Sequence, residues 1–233
     1  MSFLTAVILG LIQGITEFLP VSSDGHLALG ALLLGGGSDE QTGGLFFEVL
    51  VHVATMLAVM IHFRRELIGL LVAVKPTAEG ALARRVIGLI VVASIPTAII
   101  GFSIKDAAER AFHVPLLVGI GFLGTAAALA TTMFALRRPQ TIVAGADPSN
   151  LKDSKLWFED LAVVRWRDAI AIGAAQGIAP WPGLSRSAST ISAALWMGVP
   201  PVTATRFSLM VSLPAIGGAF LLQLRKLDGH VRG

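Results

Sequence analysis

Hydrophobic residues fill five long runs along the chain, at 3–19, 45–63, 86–104, 116–136 and 202–224. Each approaches the about 20 residues an α-helix needs to cross a bilayer, so the pattern predicts membrane helices. Shorter apolar pieces at 27–34, 67–74 and 191–196 cannot span alone; the one at 67–74 reads as interfacial or buried. Pro20 stops the first run, because proline lacks an amide donor and disfavours helix at the residue before it. Helix, break and short helix predict a re-entrant hairpin, a form tolerated at membrane depth only when buried in protein or lining a wet cavity. The stretch 168–196 repeats that pattern around Pro180 and Pro182. Gly119, Gly121, Gly124 and Ala126, Ala127, Ala128 suit close helix packing within the 116–136 run. The polar segment 139–167 reads as an exposed loop with a surface helix near 155–164.

Composition sharpens this to an all-α, polytopic membrane protein of one domain. Apolar residues make up 54% of the 233 positions and charged residues only 14%, with a mean hydropathy of +0.75. Few soluble domains carry so little charge, and the length allows roughly six crossings. The absence of cysteine excludes disulfides and thiolate metal sites. The basic pI of about 9.8 does not indicate nucleic acid, because the basic residues lie between apolar runs, as in membrane-protein orientation signals. Arg64, Arg65, Lys75, Arg84 and Arg85 form one such group, and Arg137, Arg138, Lys152, Lys155, Arg165 and Arg167 the other. Both are expected on the cytoplasmic side, with the 105–113 turn and the 35–44 loop outside. The N-terminal run lacks a basic leader and flows straight into polar residues, so it reads as a retained helix, not a cleaved signal.

Two polar stretches interrupt the apolar runs and look like versions of each other: QGITEFLPVSSDGH at 13–26 and QGIAPWPGLSRSAST at 176–190. Gln13 and Glu17 share one helix face, and a carboxylate there is costly unless it faces protein or water. Ser22, Ser23, Asp24, Gly25 and His26 follow the break. They offer a nucleophile, a base and an orienting carboxylate, although serine also serves as an N-cap and histidine as a satisfied core residue. In the second stretch Arg186 lies among Ser185, Ser187, Ser189 and Thr190, and its fork suits a phosphate. Arg186 also suits a structural pairing with Glu17, which would itself join the two halves. One half thus carries acid–base groups and the other an anion clamp, so a shared site is expected. Glu48 and His52, four apart, either line that cavity or cap a helix. Arg206 reads as an interfacial anchor, Asp106 and Glu109 as solvated turn charges, and Asp153, Glu159 and Asp160 as a solvated face. No P-loop, dinucleotide fingerprint or metal-ligand spacing appears.

These residues resemble the bacterial undecaprenyl-diphosphate phosphatase, or bacitracin-resistance protein, family. Its (E/Q)xxxE and PxSSxGH pattern is matched by Gln13, Glu17, Pro20, Ser22, Ser23, Gly25 and His26, and its PGxSRS and following threonine by Pro182, Gly183, Ser185, Arg186, Ser187 and Thr190. The segments FFEVLVHVATMLAVMIHFRREL and RFSLMVSLPAIGGA are also similar to family segments. The resemblance implies an enzyme of the cytoplasmic membrane built from two inverted-topology halves, about 1–110 and about 115–233, each with a re-entrant hairpin. It implies hydrolysis of a polyprenyl diphosphate lipid to the monophosphate carrier of cell-wall synthesis at the outer face. By the same resemblance Glu17, Ser23, His26 and Arg186 are essential, and magnesium or calcium is used, with Glu17 as a ligand. Gln13, Ser22, Gly25, Ser185, Ser187 and Thr190 would bind substrate, and a homodimer is implied. Three positions depart from the pattern. Asp24 stands where threonine is usual. Ala188 stands where glycine is usual, which stiffens that turn. The chain stops about one span beyond the second motif, where family members usually continue through two more.

The chemistry expected is phosphoanhydride hydrolysis, with Arg186 stabilising charge, Glu17 orienting attack, and Ser23 or His26 as nucleophile, ligand, base or acid. The rival expectation is a polyprenyl-phosphate flippase, since inverted repeats with broken helices also build secondary transporters.

Overall fold

A computed structural model describes residues 2–34, 44–112, 114–137 and 160–231. Residues 35–43 of the predicted 35–44 loop, residues 139–159 of the predicted polar segment with Asp153 and Glu159, and the side chain of Glu48 lie outside the described residues. The described chain is helical throughout: α1 (Phe3–Thr16), α2 (Ser23–Leu33), α3 (Gly44–His62), α4 (Arg64–Leu70) with a 3-10 turn (Leu71–Val74), α5 (Ala78–Phe112), α6 (Pro115–Ala135), α7 (Trp166–Ile178), α8 (Arg186–Trp196) and α9 (Pro201–Val231). Among the described residues three helices are long and apolar enough to cross a membrane: α5, α6 and α9 over Pro201–Leu222.

The helices expose apolar faces where those of a water-soluble domain would carry polar residues. On α1 the exposed stripe is Leu4, Val7, Leu11 and Ile15, while Leu9, Gln13 and Thr16 face inward. On α5 the exposed row is Ile87, Val91, Ile95, Ile99 and Phe102, and the buried row is Ala83, Val86, Leu89 and Ala93. Large apolar side chains turned outward, with the few polar ones of α1 kept inside, are what a lipid solvent selects. The core lies where α5, α7 and α9 meet, around Leu89, Ile172, Phe207, Met210 and Val211. There α5 and α7 touch so closely that a Cβ at Gly173 would collide with the Ala93 carbonyl. Thr97 Oγ1 lies 2.8 Å from the Gly173 carbonyl oxygen. Gln176 Nε2 donates to Thr97 Oγ1 and to the Val211 carbonyl, each at 3.3 Å. Gln176, the repeat partner of Gln13, therefore ties three helices together.

Two expectations are corrected. The 105–113 turn is helix as far as Phe112, because KDAAERAF holds strong helix formers without glycine or proline, and Lys105 and Glu109 pair one turn apart at 3.9 Å. Asp160 is not a solvated charge. Asp160 is buried and Arg206 Nη1 lies 3.2 Å from its Oδ2, since a charge taken from water needs a partner. At the start of α7, Asp168 accepts from the Arg165 amide at 2.9 Å and from its guanidinium at 2.8 Å. That hydrogen bond raises the Arg165 pKa above its ordinary value.

Candidate active site

The two polar stretches each fold as a helix, a break and a short helix, α1–α2 and α7–α8. With 11 residues, α2 and α8 are about 16 Å long, half of a bilayer core of about 30 Å. The second break docks on α6, and α2 packs against Phe122 of the same helix. Gly183 sits at φ 84°, a conformation open to glycine, and a Cβ there would strike the α6 backbone at Val118 and Phe122. A Cβ on Gly121 would likewise strike the Pro182 carbonyl. Thr125 holds the break from both sides: its Oγ1 donates to the Gly183 carbonyl and accepts from the Ser185 amide, each at 2.8 Å. On the other break Ser22 is the non-glycine residue with positive φ, at 66°, among the described residues. Its Oγ caps α2 by accepting from the Gly25 amide at 3.3 Å, and Gly25 leaves room for the Phe122 ring.

Glu17 is the hub. It lies at the C-cap of α1, buried. Gln13 Nε2 donates to its Oε2 at 3.0 Å and Ser23 Oγ donates to the same oxygen at 2.6 Å. Arg186 Nη2 pairs with Oε1 from the other half of the chain. Ser187 Oγ donates to the Leu19 carbonyl at 3.2 Å, a second link between the motifs. Arg186 Nη1 is buried without a hydrogen-bond partner. The first turns of α2 and α8 both open here, and their amides and dipoles favour an anion. Ser23 and Glu17 are thus arranged as a hydroxyl and its base, facing a cation with one fork unfilled.

Glu17, Ser22, Ser23, Ser185, Arg186 and Ser187 line one polar cavity of about 30 Å³, and Gln13 joins through Glu17. Of the other predicted residues, His26 turns elsewhere: its Nδ1 lies 2.7 Å from the Ser22 carbonyl oxygen and its ring packs edge-on to Phe122. Gly25 packs on the same ring. Thr190 sits behind the cavity, donating to the Arg186 carbonyl at 2.8 Å and touching Ser208 Oγ at 2.6 Å. His52 and Asp24 line the cavity too. His52 Nε2 lies 3.1 Å from Asp24 Oδ1 and 3.8 Å from Glu17 Oε2. Thr125 was not singled out by sequence; its one signal is a hydroxyl among small apolar neighbours.

A second cavity, about 520 Å³, adjoins the first between α3, α5 and α9. Val49, Val53, Ala98, Phe102 and Ile216 give it an apolar wall.

A family model described as bacitracin resistance protein BacA matches residues 6–232. An undecaprenyl-diphosphatase of Syntrophotalea carbinolica is 42% identical over 225 residues, spanning 96% of this chain and 77% of that one. One of Methanosphaera stadtmanae is 35% identical over 241 residues, spanning 97% and 79%. One of Desulforudis audaxviator is 35% identical over 225 residues, spanning 95% and 76%.

Proposed function

The chain belongs to the bacitracin resistance protein BacA family, and from that premise we infer that it is an undecaprenyl-diphosphatase, a membrane hydrolase that removes the terminal phosphate of undecaprenyl diphosphate. The observation that carries the chemistry is the Glu17 carboxylate held between Ser23 and Arg186, with Arg186 Nη1 buried and unpartnered. A guanidinium fork with one arm unfilled, facing two helix N-termini, suits a phosphate.

The geometry supports the following sequence. Arg186 leaves Glu17 to take the terminal phosphate, since a cavity of about 30 Å³ holds little more than one water. Glu17 accepts the Ser23 proton as Ser23 Oγ attacks phosphorus. The bond from phosphorus to the bridging oxygen breaks, and lipid monophosphate departs. Water then attacks the phosphoserine, releasing inorganic phosphate and restoring Ser23. His26 supports the strained Ser22 turn from behind. The prenyl chain lies in the adjoining apolar cavity.

Magnesium or calcium fits this donor set as a shared ligand. No cluster of three or more His, Cys, Asp or Glu among the described residues is arranged to hold a metal alone. Yet Gln13 Oε1 is buried without a hydrogen-bond partner beside Glu17, and Asp24 adds a carboxylate at the same cavity, 3.1 Å from His52 Nε2. Hard cations take such oxygens and complete their shell with substrate phosphate and water. When bound, the ion would neutralise phosphate charge.

The re-entrant reading of α1–α2 and α7–α8, the division into halves at about 1–110 and 115–233, the cytoplasmic-membrane location, outer-face access and a homodimer belong to the same proposal. The short α2 and α8 support the first of these. The test is phosphate release from undecaprenyl diphosphate by the detergent-solubilised chain. Release that disappears in Glu17→Gln supports the reading; lipid transfer between leaflets with no phosphate released contradicts it.

A further inference from the structure

Arg186 lines both the polar cavity and the apolar one, so the apolar cavity is a groove leading away from the site. It begins where the core ends. Thr97 of α5, Gln176 of α7 and Val211 of α9 are tied at one level. Before that level α5 and α9 share the core of Leu89, Ala93, Phe207 and Met210. Both helices start beside the 160–164 segment, through Arg85 and Arg206, and so run in the same direction. Past the level of Thr97 and Val211, Ala98, Gly101 and Phe102 of α5 and Pro214, Ala215 and Gly218 of α9 line the groove.

The groove is apolar over a bounded stretch. Along α5 it passes Ala98 and Phe102 and then meets Lys105 and Glu109, which pair at 3.9 Å. From Ala98 to Lys105 is about 10 Å at the rise of an α-helix. With a volume of about 520 Å³ the groove takes a body of drug size, not a whole undecaprenyl chain. Two charges at its far end turn a hydrocarbon chain aside. A side exit exists: Ala98, Phe102, Pro214 and Ala219 line the groove and are exposed. Among the described residues it therefore opens sideways between α5 and α9, toward the lipid that the outward row of α5 faces.

Gly218 stands in this passage, about 10 Å beyond Val211 at the same helical rise, where the apolar stretch ends. A Cβ built there meets nothing within 4 Å, so the position has room for a side chain and carries none. Its neighbour Gly217 faces Met56 Sδ at 3.9 Å instead. Glycine inside a helix is less stable than alanine. With no neighbour to clash, space for a ligand is what the position gains. Resting on the diphosphatase reading, we propose that Gly218 is a specificity-determining residue for the lipid. It keeps the groove open to the isoprene units beyond the first, after which the chain leaves sideways between α5 and α9.

The experiment uses the whole chain in detergent and compares phosphate release from dimethylallyl diphosphate and farnesyl diphosphate. The two share a headgroup and differ in the tail. Burying an apolar group the size of an isoprene unit changes affinity about tenfold or more, so wild type should favour farnesyl diphosphate in kcat/KM by at least that factor. Gly218→Leu is expected to lower this preference about tenfold, through KM for farnesyl diphosphate, while the values for dimethylallyl diphosphate hold. Gly218→Ala should move it the same way by less. Gly119→Leu puts the same side chain on the exposed face of α6 and should leave the preference unchanged. Geranylgeranyl diphosphate should match farnesyl diphosphate in wild type, because its added unit lies outside the groove. If Gly218→Leu loses turnover on both substrates, the preference of Gly218→Ala decides. A wild-type preference kept in the Gly218 variants, equal use of the two substrates by wild type, or a further tenfold gain with geranylgeranyl diphosphate would overturn the proposal. Wild-type chain that releases no phosphate from any of these substrates would instead overturn the diphosphatase reading. Wild-type turnover lost in Glu17→Gln, with the preference unmoved at Gly218, overturns this inference alone.

Discussion

Glu17 sits buried at the end of an otherwise apolar helix, where Arg186, Ser23 and Gln13 all converge on its two oxygens. Removing one partner of such a pair strands the other, at a cost of about 3 kcal/mol or more. Arg186→Ala should therefore lower both thermal stability and phosphate release, the latter by about 100-fold or more, as for loss of a preorganised anion donor. Arg186→Lys should restore stability better than turnover, because ammonium keeps the charge but not the fork. The identity of the nucleophile has its own signature. With Ser23 Oγ 2.6 Å from Glu17 and His26 turned to the Ser22 carbonyl, rapid quenching with phosphorus-labelled substrate should trap an acid-stable phosphoserine at Ser23. An acid-labile adduct would assign the attack to His26.

The second break owes its placement to α6. Gly121 and Gly183 let backbone touch backbone, and Thr125 fixes the Ser185 turn. Gly183→Ala should cost roughly 2 kcal/mol through strain at positive φ and depress activity. Gly119→Ala on the same helix, with nothing within 4 Å of the added methyl, should change neither; equal losses in the two variants would contradict the docking role. The sequence made the helices legible because hydrocarbon demands long apolar runs, and it made both breaks legible because proline, glycine and serine there are costly without a purpose. Glu17, Ser23 and Arg186 were readable as polar groups where none is tolerated idly. What escaped depends on partners distant in sequence. Thr125 and Phe122 gain meaning only once Gly183 and Gly25 pack on them, Asp160 finds Arg206 46 residues away, and His26 is diverted by the Ser22 carbonyl. The helical 105–112 segment was misread because a charged stretch between apolar runs looks like a turn when it is also good helix.

At the scale of the molecule, outward apolar rows on α1 and α5 and three long apolar helices describe a body solvated by lipid, with the polar residues of both motifs gathered around one small cavity. The carboxylates of Glu17 and Asp24 and the unpartnered Gln13 Oε1 around that cavity predict a cation requirement. Chelation with EDTA should suppress phosphate release and added magnesium or calcium should restore it, while full activity in chelator would contradict shared ligation. The central claim is that residues 169 positions apart form one catalytic unit. The most direct measurement is phosphate release from undecaprenyl diphosphate by wild type, Glu17→Gln, Arg186→Ala and the double variant. Groups acting as a unit are strongly non-additive, so each single variant should lose about 100-fold or more and the double variant should be little worse than the poorer single. Losses that multiply, or singles that retain near wild-type turnover, would show that the two motifs do not share a site.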